Sequence, residues 1–227
     1  TKGVLIIGKV SHDIYGIEDG DFGRSGDCQV DINCTEGNDW QDEKRAVCKI
    51  IINGSGLCTG TLMNNTSFDG TPLFLTANHC ICEQDDAENS VYIFNYESPS
   101  CDGGDGSVSQ QISGADLRAT NAETDFTLLE LSQSPISTYN PYYAGWDRTN
   151  VQGIGGVGIH HPKGDVKKIS THNIVPDDSD CMDFTYNAGC GAEFYPNENF
   201  WRINWIATDN GHSVTEGGSS GSPLFND

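Results

Sequence analysis

Residues 73–80 read Leu-Phe-Leu-Thr-Ala-Asn-His-Cys, a short apolar run that ends on His79 and Cys80. Alternating bulky residues followed by Thr and a turn-forming Asn have the length and composition of a β-strand. Pieces of the same size recur on both sides: CKIIING (48–54), CTGTLMN (58–64), VYIFNYES (91–98), DFTLLELS (125–132), VGIHHP (157–162), FWRINWIAT (200–208) and SPLF (222–225). Between them lie turn formers such as NNTSFDGTP (64–72), SPSCDGGDGS (98–107), VPDDSD (175–180) and NAGCGAEFYPNEN (187–199). This spacing predicts an all-β sandwich or barrel, with at most a helical turn at EKRAV (43–47) or QDDAENS (84–90). The stretch 131–145, with two prolines and no alternation, reads as a seam between lobes.

Composition agrees. Ile, Val and Thr number 45 against 20 for Leu and Ala, and Gly, Asp and Asn number 27, 22 and 18, which excludes a helical bundle. In 227 residues, 12 basic side chains stand against 33 acidic ones, a net charge of -21 that repels phosphate backbones and argues against nucleic-acid partners. The longest aliphatic run, Val4-Leu5-Ile6-Ile7, is far short of a membrane span. Nine cysteines without metal-finger spacing point to disulfides and a secreted, extracellular protein.

Five patterns mislead. Gly153-x-Gly155-x-x-Gly158 spells a dinucleotide fingerprint but runs into Ile159-His160-His161-Pro162, where a helix is disfavoured. Gly217-x-Ser219-x-Gly221 spells an esterase elbow, yet no histidine follows it. His160 and His161 are neighbours that a strand would point to opposite faces, so they read as structural or surface histidines and not as a metal pair. DGGDGS (102–107) lacks the alternating carboxylates of a calcium loop, and several Asn-x-Ser/Thr triplets are expected by chance in an Asn-rich chain. No metal and no cofactor is expected.

Three segments together carry chemistry. His79 ends a strand, Asp125 begins another in TDFTLLEL, and Ser220 lies in the glycine-dense EGGSSGSPLF. Amide hydrolysis needs a hydroxyl activated by an imidazole, a carboxylate that orients the imidazole, and backbone amides that hold the oxyanion. Each residue alone has an ordinary structural reading; the order His, Asp, Ser in three such settings favours catalysis.

At these residues the chain resembles the chymotrypsin-like serine peptidases, and within them the bacterial lysyl endopeptidase group: CTGTLMNNT, FLTANHC, TDFTLLEL, AGWDR (144–148), IHHP (159–162) and TEGGSSGSP carry the likeness from about Cys28 onward. The resemblance implies two six-stranded antiparallel β-barrels with the site between them. Residues 1–24 would be a leader or propeptide remnant, with Arg24-Ser25 a candidate processing point. Residues 25–138 would form the first barrel with His79 and Asp125, and residues 139–227 the second with Ser220. His79 would be the general base, Asp125 its orienter and Ser220 the nucleophile, with the amides of Gly218 and Ser220 as oxyanion hole. Ser219 stands where the animal enzymes carry Asp.

The implied function is a secreted serine endopeptidase acting on protein or peptide substrates after Lys, a monomer when complete. The rivals are a non-catalytic binding module on the same scaffold and a serine esterase. By the same likeness Cys58 pairs with Cys80 and Cys34 with Cys101. Cys181–Cys190 is the simplest local pair, Cys48–Cys82 is left by elimination, and Cys28 is the orphan. Because the chain stops soon after Ser220, the second barrel is expected to be truncated at its C-terminus.

Overall fold

The structure, a computed structural model, describes residues 25–149, 151–178, 182–183, 194–195 and 200–226. In chain order the strands are β1 (Val30–Asp31), β2 (Val47–Ile52), β3 (Gly56–Met63), β4 (Leu73–Thr76), β5 (Ser90–Phe94), β6 (Gln111–Ser113), β7 (Ala115–Asn121), β8 (Phe126–Leu131), β9 (Gly156–His160), β10 (Lys168–His172), β11 (Asp177–Asp178), β12 (Met182–Asp183), β13 (Phe194–Tyr195), β14 (Trp201–Arg202) and β15 (Leu224–Asn226). One short helix, α1 (Gln84–Glu88), and a 3-10 turn at Glu43–Arg45 occupy the two stretches where a helical turn was expected. No helix among the described residues is long and apolar enough to cross a membrane.

Two sheets dominate. Seven strands form an antiparallel half-barrel in the order β6-β5-β2-β3-β4-β8-β7, and four form a second sheet in the order β1-β10-β9-β15. The pairs β11–β14 and β12–β13 stand apart from these. The fold is therefore all-β and two-lobed as expected, with strand numbers among the described residues of seven and four.

Strand β2 explains how the lobes meet. Its side chains alternate between two faces, as the pleat requires. Cys48, Ile50 and Ile52 join Leu62, Phe74, Tyr92, Phe94 and Leu129 in the core of the half-barrel. Val47 packs instead with Val30, Val157, Ile159 and Ile169 of the second sheet. Lys49, on that same outer face, is fully buried and donates to the carbonyl of Gly164 at 2.6 Å. Lys167 is likewise buried, donating to the Lys44 carbonyl at 2.6 Å beside Glu97, which Lys44 holds at 2.9 Å. Buried ammonium groups that keep such partners avoid the large penalty of an unpaired charge.

The chain crosses between lobes at two more places. Residues Val30 and Asp31 pair with β10, so this early segment is a strand of the second sheet. The connection after β8 stays on the half-barrel as far as Ala144, whose amide and carbonyl bond Leu62 and Asn64 at 2.9 Å each.

The disulfides Cys34–Cys101 and Cys58–Cys80 are formed. The pairing of Cys48 with Cys82 is corrected. Cys48 is free and buried on the core face of β2, and burial raises its thiol pKa far above the ordinary range. Cys82 is disulfide-bonded, and not to Cys48. Elimination failed because it assumed a single orphan thiol, whereas both Cys28 and Cys48 are free. The Cys181–Cys190 pair and the leader 1–24 lie outside the described residues.

Candidate active site

His79 sits in the turn that follows β4. Its main-chain N–H donates to Oδ1 of Asp125 at 2.9 Å, and its Nδ1 lies 2.8 Å from Oδ2 of the same carboxylate. One aspartate thus grips the histidine at both backbone and ring, which fixes the ring rotation as well as the tautomer with Nδ1 protonated. Asp125 precedes β8 with φ at 49°, a left-handed conformation that Asp adopts more readily than most residues. A hydroxyl chain keeps this turn in register. Asn78 donates to Thr120 Oγ1 at 2.7 Å, Thr120 and Thr127 share a 2.6 Å hydrogen bond across β7 and β8, and Thr127 donates to the Ile81 carbonyl at 2.6 Å.

Ser220 lies in a loop built from two overlapping turns. The Ser219 amide donates to Glu216 O at 2.9 Å and the Ser222 amide to Ser219 O at 3.0 Å. Gly221 has φ at 81°, and a Cβ there would meet Thr59 O and Thr76 Oγ1 at 2.3 Å. Gly218 has φ at 95°, and its added Cβ would meet the carbonyl of His161 at 2.8 Å. Both sites need positive φ and close approach, so glycine is required at each. The Gly217 carbonyl accepts from Lys163 N, and the Ser219 carbonyl is used by Ser222. Across a trans peptide the N–H points opposite to the C=O. The amides of Gly218 and Ser220 are therefore turned away from Lys163 and Ser222.

The link between these parts is Thr59, a fully buried residue of β3. Its amide donates to Ser220 O at 2.8 Å and its hydroxyl donates to Gly218 O at 2.8 Å. The same hydroxyl accepts the His161 amide at 3.0 Å, and the Thr59 carbonyl accepts Thr76 Oγ1 at 2.8 Å. Next to it, Cys58 is bridged to Cys80, whose Sγ lies 3.8 Å from the Ser220 carbonyl oxygen. His79 and Asp125 are thus brought together directly, and the backbone of Ser220 is packed against the residue that follows His79. Nothing in the sequence singled out Thr59; the one available signal was its place beside a cysteine in CTGT.

His160 ends β9 and His161 follows it; both are fully buried, and their rings meet different partners. His160 contacts the hydroxyls of Ser219 and Ser170, while His161 Nδ1 faces the Asp165 carbonyl at 2.9 Å and its ring stacks on Tyr96. Burial, reinforced by Lys168, lowers the His160 pKa to about 3; burial, then Lys167, holds His161 well below its usual value. The glycine fingerprint ends on β9 and is followed by a short 3-10 turn at Pro162–Gly164 in place of a phosphate-binding helix.

This fold, with a carboxylate-gripped histidine beside a glycine-rich serine loop, is that of the chymotrypsin-like serine proteases. The active form of the Rv3671c protease from M. tuberculosis superposes with a TM-score of 0.51 at 15% identity, covering 90% of this chain and 77% of that one. The MamO protease domain from Magnetospirillum magneticum, apo form, gives 0.50 at 12% identity, covering 82% and 81%. Those two likenesses concern the fold alone. A family profile described as lysyl endopeptidase, C-terminal domain, matches residues 22–227, and the chain belongs to that family. It is 33% identical to the lysyl endopeptidase of Pseudomonas aeruginosa over 223 residues, covering 92% of this chain and 44% of that relative's length.

Replacing Thr59 with Val keeps the shape but leaves the Gly218 carbonyl and the His161 amide without partners. Unfolding in urea should show a loss of about 2–4 kcal/mol, while Thr59→Ser stays near wild type. Equal midpoints for Val and Thr would contradict the linking role.

The two histidines also set an acid limit. Folded, they stay neutral well below pH 6.5; unfolded, they charge near 6.5, so below pH 6.5 the unfolded chain binds more protons, for His160 down to about pH 3. Stability present above pH 6.5 should be lost as pH falls through that window, by about 1.4 kcal/mol per pH unit for each fully titrating histidine. Thermal melts from pH 7 to 4 should slope downward, and less steeply in His160→Phe. A slope unchanged by that substitution would contradict the assignment.

Proposed function

We propose that this protein is a serine endopeptidase that cleaves peptide bonds after Lys through an acyl-enzyme intermediate, and that it works outside the cell. The observation that carries the proposal is the double grip of Asp125 on His79, set against the Ser220 loop. In this reading Ser220 Oγ attacks the scissile carbonyl carbon while His79 Nε2 accepts its proton. The developing oxyanion is held by the amides of Gly218 and Ser220. Loss of one such donor costs on the order of 3 kcal/mol in the transition state. His79 then gives the proton to the leaving amine, and water repeats the sequence on the acyl-enzyme. Asp125 stays ionised and stabilises the imidazolium formed at each step.

Preference for Lys rests on the kinship with a lysyl endopeptidase, and the net charge of -21 favours the approach of basic peptides. The disulfides Cys34–Cys101 and Cys58–Cys80 support an oxidising, extracellular setting.

The test is a panel of fluorogenic peptides that differ only in the residue before the cleaved bond, assayed on the full-length protein. Lys peptides should turn over fastest, amides as well as esters. Ser220→Ala and His79→Ala should each cut turnover by about three or more orders of magnitude with the melting temperature kept. Near wild-type turnover in Ser220→Ala would end the proposal.

A further inference from the structure

The search outside the catalytic constellation leads to a buried pair directly behind it. His160 closes β9 and is fully buried, and Ser219, the residue before Ser220, is buried too. His160 Nδ1 lies 2.8 Å from Ser219 Oγ, and Nε2 lies 2.9 Å from Ser170 Oγ on β10. We infer that His160 is a positioning residue for the nucleophile loop: its ring accepts the Ser219 hydroxyl and so fixes the turn that presents Ser220. The inference rests on the reading of Ser220 as nucleophile and extends it to a residue that touches neither substrate nor the reacting atoms.

One donor already upon Ser219 favours one placement of the protons. Ser219 Oγ already accepts the Glu216 amide at 3.1 Å. Its one hydroxyl proton is buried and needs an acceptor, which Nδ1 supplies only when unprotonated. Nε2 then carries the ring proton and donates to Ser170. That neutral ring satisfies all three bonds. Lys168 stands opposite His160 across β9 and β10, and His161 is its neighbour in the chain. Lys168 is itself tied to Asp31 at 2.5 Å and lies 3.8 Å from Asp165. With that ammonium nearby, a charged imidazole is disfavoured, in line with the lowered pKa of the ring.

Ser219 suits this arrangement. An Asp at 219 would set a carboxylate against Nδ1 and demand a proton on that nitrogen. Serine keeps the pair uncharged. The same hydroxyl joins both ends of the first turn, since Glu216 N donates to it and Ser219 N donates to Glu216 O. Ser219 O then starts the second turn, in which Ser220 comes next. Loss of the ring acceptor therefore loosens both turns and with them the amides of Gly218 and Ser220.

The test compares His160→Phe, His160→Asn and Ser219→Ala with wild type in the full-length protein. Phe removes both nitrogens, whereas Asn can place Oδ1 where Nδ1 stood. His160→Phe and Ser219→Ala should lower kcat about ten- to a hundredfold with KM changed less than about threefold, and Asn should recover much of kcat. Wild-type kcat in His160→Phe, or a loss in KM alone, would overturn the inference. A second readout does not depend on turnover. Ring nitrogen-15 shifts at pH 7 should show His160 with Nε2 protonated and Nδ1 bare, and amide signals of residues 217–221 should move in Ser219→Ala. A charged ring or an Nδ1–H tautomer would overturn it as well. A wild-type protein that cleaves no peptide would sink the peptidase reading, and the nitrogen shifts would still decide the role of His160.

Discussion

The active-site half of this molecule hangs on the hydrogen bonds of Thr59. Four bonds from one buried residue reach the nucleophile loop at Gly218 and Ser220, the histidine strand at Thr76 and the second sheet at His161. Each end is a main-chain or hydroxyl group that, once buried, must find a partner. The lobes cannot slide without breaking several of these bonds together. That constraint turns two separate sheets into one site: β4 delivers His79, β8 delivers Asp125, and the loop before β15 delivers Ser220.

Around this joint the charges are arranged so that none is left alone. Lys49, Lys167 and Lys168 are buried between the lobes and point at carbonyls or carboxylates. Burial first, and these ammonium groups second, hold His160 and His161 neutral. The rigidity that follows is local. Asp125 fixes the His79 ring from one side, and the His160 ring packs against Ser219 on the other. Preorganisation of this kind places donors before charge develops, which is where most electrostatic catalysis originates.

The fold class was legible in the sequence because its strands leave strong local traces. Alternating apolar runs marked β2, β3, β4, β5 and β8, and the histidine and serine segments are specific enough to carry a family likeness. Other elements were silent. Strand β7 is an edge strand with most side chains exposed, so it lacks an apolar period. Strand β10 reads Lys-Ile-Ser-Thr-His and looks like a surface segment, yet Lys168, Ser170 and His172 are buried because Asp31, His160 and the Ile174 carbonyl face them. The pairing of Val30 and Asp31 with β10 is a long-range contact with no local signal. Thr59 and His160 gave no local signal because the partners of each in the serine loop, Gly218 and Ser220 for one and Ser219 for the other, lie more than fifty residues away. The disulfide count misled where elimination replaced geometry, since Cys48 behaves as a small apolar core residue.

The central claim is that Ser220, and no neighbouring serine, is the hydroxyl that His79 activates. The most direct measurement is covalent trapping. The full-length protein is treated with a serine-directed phosphonate ester, digested, and the modified residue is located by tandem mass spectrometry. The account predicts one adduct, on Ser220, formed in wild type and lost in His79→Ala. An adduct on Ser219 or Ser222, or equal labelling of Ser220 without His79, would contradict it.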